Sequence, residues 1–365
     1  MNNSDRSVSD IKSEMTINGS KDCFIENINT NISLIQKRIK KNLKTSELII
    51  GKHTETRVII IYNSKIADQR LIKNIENRLK KINIDAIIDS SYLKHSLEDE
   101  HNLFPTIMET ERPDKACMAI MEGKAIIVVD NSPYVLILPS LFLDFFHTPD
   151  DYYQKAFNTT FIRIIRSIAF IIAIFLPGTF ISITTRNYNL IPLPLLLMLK
   201  AGRTFVPFPA YIEALFMIIA FEILKEGDLR MSQAASSSIS MLGGLILGDA
   251  AVAAGIVSPI MIIIIAISSI AGLIFPSQEL VNTIRIYKII TLVLSSILGI
   301  YGTIISLIIM IYNILNTRIF GYKYLDYDKN EILDSIIKID TKIRKRNKNI
   351  TNNIIRGKYK WKDLF

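Results

Sequence analysis

Hydrophobic positions are distributed very unevenly along the chain. The sequence is ordinarily polar before Phe161, almost lacks charge over long runs between Phe161 and Asn316, and becomes polar again afterwards. Apolar runs of about 20 residues are what a helix needs to cross a bilayer. The pattern predicts four segments: a disordered leader (1–23), a soluble α/β domain (24–155), a helical membrane domain (161–316) and a basic cytoplasmic tail (317–365).

Periodicity within the polar half predicts alternating helices and strands. In "NTNISLIQKRIKKN" the isoleucines share one helical face, and the same spacing recurs in "DQRLIKNIENRLKKI" at 68–82. Short β-branched runs, "RVIIIY" at 57–62 and "IDAIID" at 84–89, lie on either side of this second helix. Strand, helix and strand in this order predict a βαβ unit and hence an α/β domain.

A further helix and a hairpin are predicted in the second half of this domain. "RPDKACMAIMEG" carries Pro113 at a first helical position and Gly123 at its end. "KAIIVVDNSPYVLILP" follows, with two apolar runs on either side of the polar turn 130–133.

The apolar half contains a series of candidate membrane segments: 164–184, 190–199, 207–230, the stretch around "GGLILGDAAVAAG", "IVSPIMIIIIAISSIAGLIFP" and 286–315. The first is interrupted at Pro177-Gly178. The second is about half a span long and contains two prolines, which predicts a re-entrant or interfacial segment. The last would extend roughly 45 Å as one helix, too long for one untilted span and short for two. We expect four or five spans.

The net charge of +9 is concentrated in the tail, which contains thirteen Lys or Arg and six acidic residues from Thr317 onward. Basic residues beside membrane segments favour the cytoplasmic side and attract anionic lipid headgroups. Nucleic-acid binding is not expected because no groove-reading or base-stacking motif accompanies the charge. The first 22 residues contain no apolar core of a secretory signal, so the soluble domain is predicted to stay in the cytoplasm.

No pattern of catalytic residues is visible. The sequence has no glycine-rich phosphate loop, no Ser/His/Asp spacing and no paired acid and base. Cys23 and Cys117 lie far apart without neighbouring histidines, which predicts two reduced thiols and neither a disulfide nor a zinc site. We therefore expect no enzyme activity, no cofactor and no metal.

Two carboxylates, Glu213 and Glu222, lie within the apolar segment 207–230. Nine residues separate them, which places them on opposite faces of a helix, about 13.5 Å apart along its axis. One interpretation puts both at interfacial helix ends, with Glu222 paired to Lys225. The other has them packing against partner helices or lining a water-filled path, as intramembrane carboxylates commonly do.

The next segment combines small residues with an acid. Gly244 and Gly248 are four apart, alanines and Gly255 follow, and Asp249 lies among them. Small residues allow helices to approach closely, so we expect this segment to be buried in protein. Asp249 is a candidate for an ion pathway or switch, or alternatively for a structural hydrogen bond between helices. Pro259 is predicted to mark a bend before the following span.

Several blocks resemble the A subunit of the GerA family of spore germinant receptors, over about residues 24–321. They are "FPTIMETERPDKACMAIMEGKAIIVVDNSPYVLILPSLFLDFFHTPDDYYQ", "VPFPAYIEALFMIIAFEILKEGDLRMS", "GGLILGDAAVAAGIVSPIMIIIIA" and "IFPSQEL". The matching positions are Pro207-Phe208-Pro209, Glu213, Glu222, Gly243-Gly244, Gly248, Gly255, Ser258-Pro259 and Glu279.

This resemblance implies a protein of the spore inner membrane that works with a transporter-like B subunit and a lipoprotein C subunit. It also implies assembly into a homo-oligomer that passes ions when germination starts. The family usually carries a further α/β subdomain where this sequence has a short polar leader. An accessory A-like protein encoded with the dipicolinate channel, promoting receptor assembly, shares the same pattern and is the alternative expectation.

Overall fold

The computed structural model describes residues 14, 16, 19–99, 102–230, 244 and 248–325. The chain separates into two compact units, one formed by Met1–Ile164 with Asn313–Phe365 and the other by Ile165–Tyr312. We call them the α/β unit and the helical unit. The α/β unit thus contains chain from both sides of the helical unit.

A five-stranded sheet forms the centre of the α/β unit. Its strands are β1 (Leu43–Ile50), β2 (Thr56–Asn63), β3 (Met108–Thr110), β4 (Ala125–Val129) and β5 (Val135–Leu138). They lie in the order β1-β2-β4-β5-β3, and all neighbours are antiparallel. The predicted hairpin β4–β5 is confirmed, and both of its strands are buried along their whole length, as their unbroken apolar runs indicate.

The helices of this unit are α1 (Ile28–Arg38), α2 (Gln69–Lys81), α3 (Ser90–Leu97), α4 (Pro113–Met121) and the short α5 (Asp150–Tyr153), with a 3-10 turn at Phe142–Phe146. The predictions of α1, α2 and α4 are confirmed. Their starts follow local signals, since Asn27 and Asp68 cap the first two helices and Pro113 begins α4.

The predicted βαβ unit is wrong. Residues 84–89 form a loop, whose Ile84 and Asp85 carbonyls accept hydrogen bonds from the backbone of the β1–β2 turn. Ile88 is 65% exposed, so the apolar run does not correspond to a buried strand. β1, which was not predicted, occupies the sheet edge beside β2 and alternates between exposed and partly buried positions.

The first part of the predicted tail packs into the α/β unit. Strands β6 (Arg318–Ile319) and β7 (Tyr322–Lys323) form a small hairpin, and Phe320 at its turn belongs to the core cluster of the sheet. Tyr324 is fully buried, and its hydroxyl donates a 2.5 Å hydrogen bond to the Pro105 carbonyl. This hairpin fixes the chain that follows the helical unit.

The helical unit contains the remaining helices: α6 (Ala156–Ile181, beginning in the α/β unit), a π-helical turn (Ser182–Arg186), a 3-10 turn (Tyr188–Leu190), α7 (Leu193–Ala201), α8 (Ala210–Arg230), α9 (Pro259–Gly272), α10 (Gln278–Leu298) and α11 (Ile300–Asn316). The predicted interruption at Pro177 is wrong, because α6 continues through it. Proline lacks the N–H that would bond the Ala173 carbonyl. The Ser268 hydroxyl of α9 donates to that carbonyl instead, at 2.8 Å.

The long apolar run 286–315 is not one helix. It belongs to α10 and α11, which meet at Gly299 with a left-handed φ of +63° and fold against each other as a helical hairpin. Gly302 of α11 contacts the backbone of Leu294, where any side chain would collide. The hydroxyls of Thr291 and Ser306 lie 2.7 Å apart across this hairpin.

Among the described residues, two helices are long and apolar enough to cross a membrane, Ala156–Arg186 and Gln278–Leu298. Pro259–Gly272 and Ile300–Asn316 are apolar but shorter. The expected four or five spans are therefore not confirmed. Segment 190–199 is largely α7, whose nine residues agree with the predicted half-length segment.

Candidate functional site

Glu213 of α8 is buried in the helical unit, with 1% of its surface exposed. The Arg203 guanidinium donates from Nη2 to Oε1 at 2.7 Å. The backbone N–H and the hydroxyl of Ser258 both donate to Oε2, each at 3.0 Å. Both carboxylate oxygens are therefore satisfied, as a buried charge requires.

Three separate segments converge on this carboxylate. Arg203 follows α7, Glu213 lies in the first turn of α8, and Ser258 is the N-cap of α9. A helix N-terminus carries partial positive charge, so α8 and α9 both favour a carboxylate at this point. Apolar side chains of α6, α8 and α9, including Ile181, Met217 and Met261, pack in the same core.

Glu222 has a different environment on the same helix. Its Oε2 lies 2.8 Å from Nε of Arg285 in α10, and about a third of each side chain is exposed. The predicted pairing with Lys225 is thus replaced by an ion pair to a neighbouring helix. Lys288, one turn beyond Arg285, is buried.

The two glutamates therefore contact protein through different helices, in keeping with their predicted opposite faces. Sequence reasoning missed their basic partners Arg203 and Arg285. A weak signal for a basic partner was present in the sequence: "NTIRIYKII" places two cations one helical turn apart in an otherwise apolar run.

Asp249 is exposed in the single chain, as are Ala250, Ala253 and Ala254. Gly243 lies outside the described residues. No described atom comes within 4 Å of a Cβ added at Gly244 or Gly248. The burial of this small-residue segment in protein therefore stays a prediction, because the described residues leave these positions uncovered.

Gly255 and Pro259 shape the connection into α9. Gly255 has a φ of +68°, and its Cα faces the Phe205 carbonyl closely enough that a Cβ would lie 3.2 Å from that oxygen. Pro259 occupies a first-turn position of α9, directly after the Ser258 that binds Glu213. The bend is thus part of the glutamate site.

The α/β unit also contains buried charge, but in a structural arrangement. Arg112 is fully buried and binds Asp114 through two hydrogen bonds, of 3.0 and 2.7 Å. Burial by itself raises the pKa of Asp114, and hydrogen bonds from Arg112 and Tyr153 more than offset this, so the pKa lies below its usual value. Cys23 and Cys117 are both buried reduced thiols, and burial raises the pKa of Cys117 to about 12.

No group of three His, Cys, Asp or Glu that could hold a metal occurs in the part of the chain that the structure describes. Several buried charges among the described residues form ion pairs, such as Arg203–Glu213 in the helical unit and Arg112–Asp114 in the α/β unit. Such pairs can stabilise one arrangement of helices against another.

The fold defines a class of protein in which an α/β domain is joined to a helical domain with apolar helices of spanning length. The family model described as "Bacillus/Clostridium GerA spore germination protein" matches residues 1–350. The chain belongs to this family of spore germination proteins.

Individual relatives agree with this assignment. The chain is 38% identical to "Spore germination protein KA" of Bacillus subtilis (strain 168) over 322 residues, which is 88% of this chain and 59% of that protein. It is 32% identical to "Spore germination protein A1" of the same organism over 353 residues, 95% of this chain and 73% of that protein. The chain thus spans less than two thirds of the length of protein KA.

One solved structure is also similar in sequence. It is the N-terminal domain of the A subunit of the Bacillus megaterium spore germinant receptor GerK3, 39% identical and covering 33% of this chain and 97% of that domain, with a TM-score of 0.28.

Proposed function

We propose that the chain is the A subunit of a nutrient germinant receptor in the spore inner membrane, where it converts germinant binding into ion release. The observation that carries this proposal is the family match over residues 1–350. In the proposed complex a transporter-like B subunit binds the nutrient, a lipoprotein C subunit completes the receptor, and several A subunits form an oligomeric ion channel. The protein itself performs no chemistry.

The proposed membrane topology has an even number of crossings, with the α/β unit in the cytoplasm. Support comes from the β6–β7 hairpin, which packs on the same unit that precedes the helical unit. In the proposed topology, the chain before and the chain after the helical unit therefore lie on the same side of the membrane. The basic residues after Thr317 favour the cytoplasmic side.

We assign different roles to the three acidic residues. Glu213, whose oxygens are fully satisfied, holds α7, α8 and α9 together. The Glu222–Arg285 pair is about one third exposed. It loses less hydration than a fully buried pair, so it can open when α8 and α10 move, and we propose it as the coupling pair. Asp249, exposed on a face of small residues, is proposed to contact another subunit or the ion path.

Spores lacking the gene test the receptor function. We expect dipicolinate release to be lost for one or a few nutrients in a panel of single amino acids, sugars and salts, while other nutrients act normally. A complementing copy of the gene should restore the lost response. Uniform slowing with every nutrient would contradict the receptor assignment and indicate the accessory role beside the dipicolinate channel.

Point variants test the coupling roles. Glu222→Ala and Asp249→Ala are expected to accumulate normally but to change the rate of nutrient-triggered ion release by about fivefold or more, the lower end of typical coupling energies. Asp85→Ala is the matched control, because this carboxylate is 73% exposed and belongs to the α/β unit. Wild-type release rates in both test variants would refute the assigned roles.

A further inference from the structure

A cavity of about 240 Å³ lies within the helical unit beside the Glu213 site. One part of its wall is apolar, formed by Phe180 of α6, Leu196 and Leu199 of α7, and Ile260 of α9. Lys200, Gly202 and Arg203 border it where α7 ends. The cavity therefore combines an apolar surface with cationic groups.

The cationic side has unused hydrogen-bond donors. Arg203 donates one hydrogen bond from Nη2 to Glu213. Among the described residues its Nε is buried without a hydrogen-bond partner, and its Nη1 has no partner either. The Arg203 side chain is 24% exposed. Lys200 lies one turn earlier, is exposed, and places its ammonium 5.8 Å from the centre of the Tyr188 ring. No described carboxylate accepts a hydrogen bond from the Lys200 ammonium or forms an ion pair with it.

The charges determine what the cavity can accept. Glu213 neutralises Arg203. Among the described residues no acidic side chain lines the cavity, so Lys200 contributes one positive charge that none of them compensates. Guanidinium and ammonium groups that border one cavity can bind oxyanions through charge-assisted hydrogen bonds. The apolar part of the wall in turn favours a ligand whose charged group is joined to hydrocarbon.

We propose that this cavity binds an amphiphilic monoanion, a phosphodiester or similar oxyanion attached to apolar groups, with the oxyanion on Lys200 and Arg203 Nη1. Two sources share this chemistry: an anionic phospholipid of the surrounding bilayer and a free organic anion from the aqueous phase. The proposal concerns the helical unit alone and does not depend on the receptor function.

The test uses the purified full chain and two probes. Dibutyl phosphate represents a free monoanion, and nanodiscs of phosphatidylglycerol, compared with phosphatidylcholine, represent the lipid source. Ligand-induced stabilisation is measured by the shift in unfolding temperature at constant ionic strength, and lipid occupancy by native mass spectrometry. We expect binding of at least one probe, weakened about fivefold or more by Lys200→Gln, the effect of one lysine charge near an anion.

Two further variants separate charge from structure. Lys200→Arg keeps the charge and should retain binding, whereas Lys225→Gln makes the same charge change outside the cavity and should leave binding as in the wild type. Binding of phosphatidylglycerol alone would assign the cavity to lipid, and binding of dibutyl phosphate would show that a free anion can enter. Equal affinity of wild type and Lys200→Gln for both probes would overturn the proposal.

Discussion

Replacing Glu213 by alanine is expected to prevent stable folding of the helical unit and to remove most of the protein from the membrane fraction. The substitution leaves the Arg203 guanidinium and the Ser258 N–H without their acceptor inside the protein. Removing one partner of a buried ion pair costs about 3–5 kcal/mol. That is a large share of a typical folding free energy of about 5–15 kcal/mol. Immunoblots of membrane fractions and unfolding temperatures in detergent would measure the effect.

Two comparison variants test whether the loss of stability is specific to Glu213 or follows from removing any carboxylate of α8. Glu222→Ala removes an ion pair whose side chains are about one third exposed. Such a pair is worth about 1 kcal/mol or less, so this variant should accumulate normally. The double variant Glu213→Gln with Arg203→Gln removes both charges but keeps an oxygen that can accept from Ser258. It should be more stable than Glu213→Ala. Normal accumulation of Glu213→Ala would show that this carboxylate does not hold the three segments together.

Local signals explain which elements of the α/β unit were predictable. Helices α1, α2 and α4 follow from caps and a 3.6-residue period, and the β4–β5 hairpin follows from two apolar runs around a polar turn. β1 was missed because it is an edge strand with half of its residues exposed, and its apolar run is limited to its last three residues, 48–50. The loop 84–89 was misassigned because its run of apolar residues is short, and only the sheet decides whether such a run pairs.

The residues of the glutamate site were likewise only partly predictable from the sequence. A carboxylate in an apolar segment is visible in the sequence, so Glu213 and Glu222 could be selected from the chain alone. Their partners could not, since Arg203 and Ser258 lie 10 and 45 residues away from Glu213 along the chain. Convergence of α7, α8 and α9 at one point is a property of tertiary packing. The break at Gly299 was likewise hidden. The run contains two glycines, Gly299 and Gly302, and glycines in long apolar runs also occur within continuous helices.

Tyr324→Ala is expected to release the β6–β7 hairpin from the α/β unit and to destabilise that unit by about 3–5 kcal/mol, as for other large aromatic side chains truncated in a core. The Tyr324 ring lies 6.2 Å from that of Phe104 and 5.9 Å from that of Phe142, measured between ring centres. The hairpin makes further contacts, such as the 2.7 Å hydrogen bond that the Tyr322 hydroxyl donates to Asp68. These contacts form only while the hairpin is packed on the α/β unit. The full chain in detergent should unfold at a lower temperature and be cleaved faster by trypsin at Arg318 and Lys323.

Two tyrosine variants make this result specific. Tyr324→Phe keeps the ring and loses only the hydrogen bond to the Pro105 carbonyl, so it should cost about 1 kcal/mol. Tyr92→Ala truncates a tyrosine that is 46% exposed in the same unit and should change stability by about 0.5 kcal/mol or less. If Tyr324→Ala keeps the wild-type unfolding temperature and trypsin pattern, the hairpin does not anchor the chain after α11. The argument for an even number of membrane crossings would then lose its structural support.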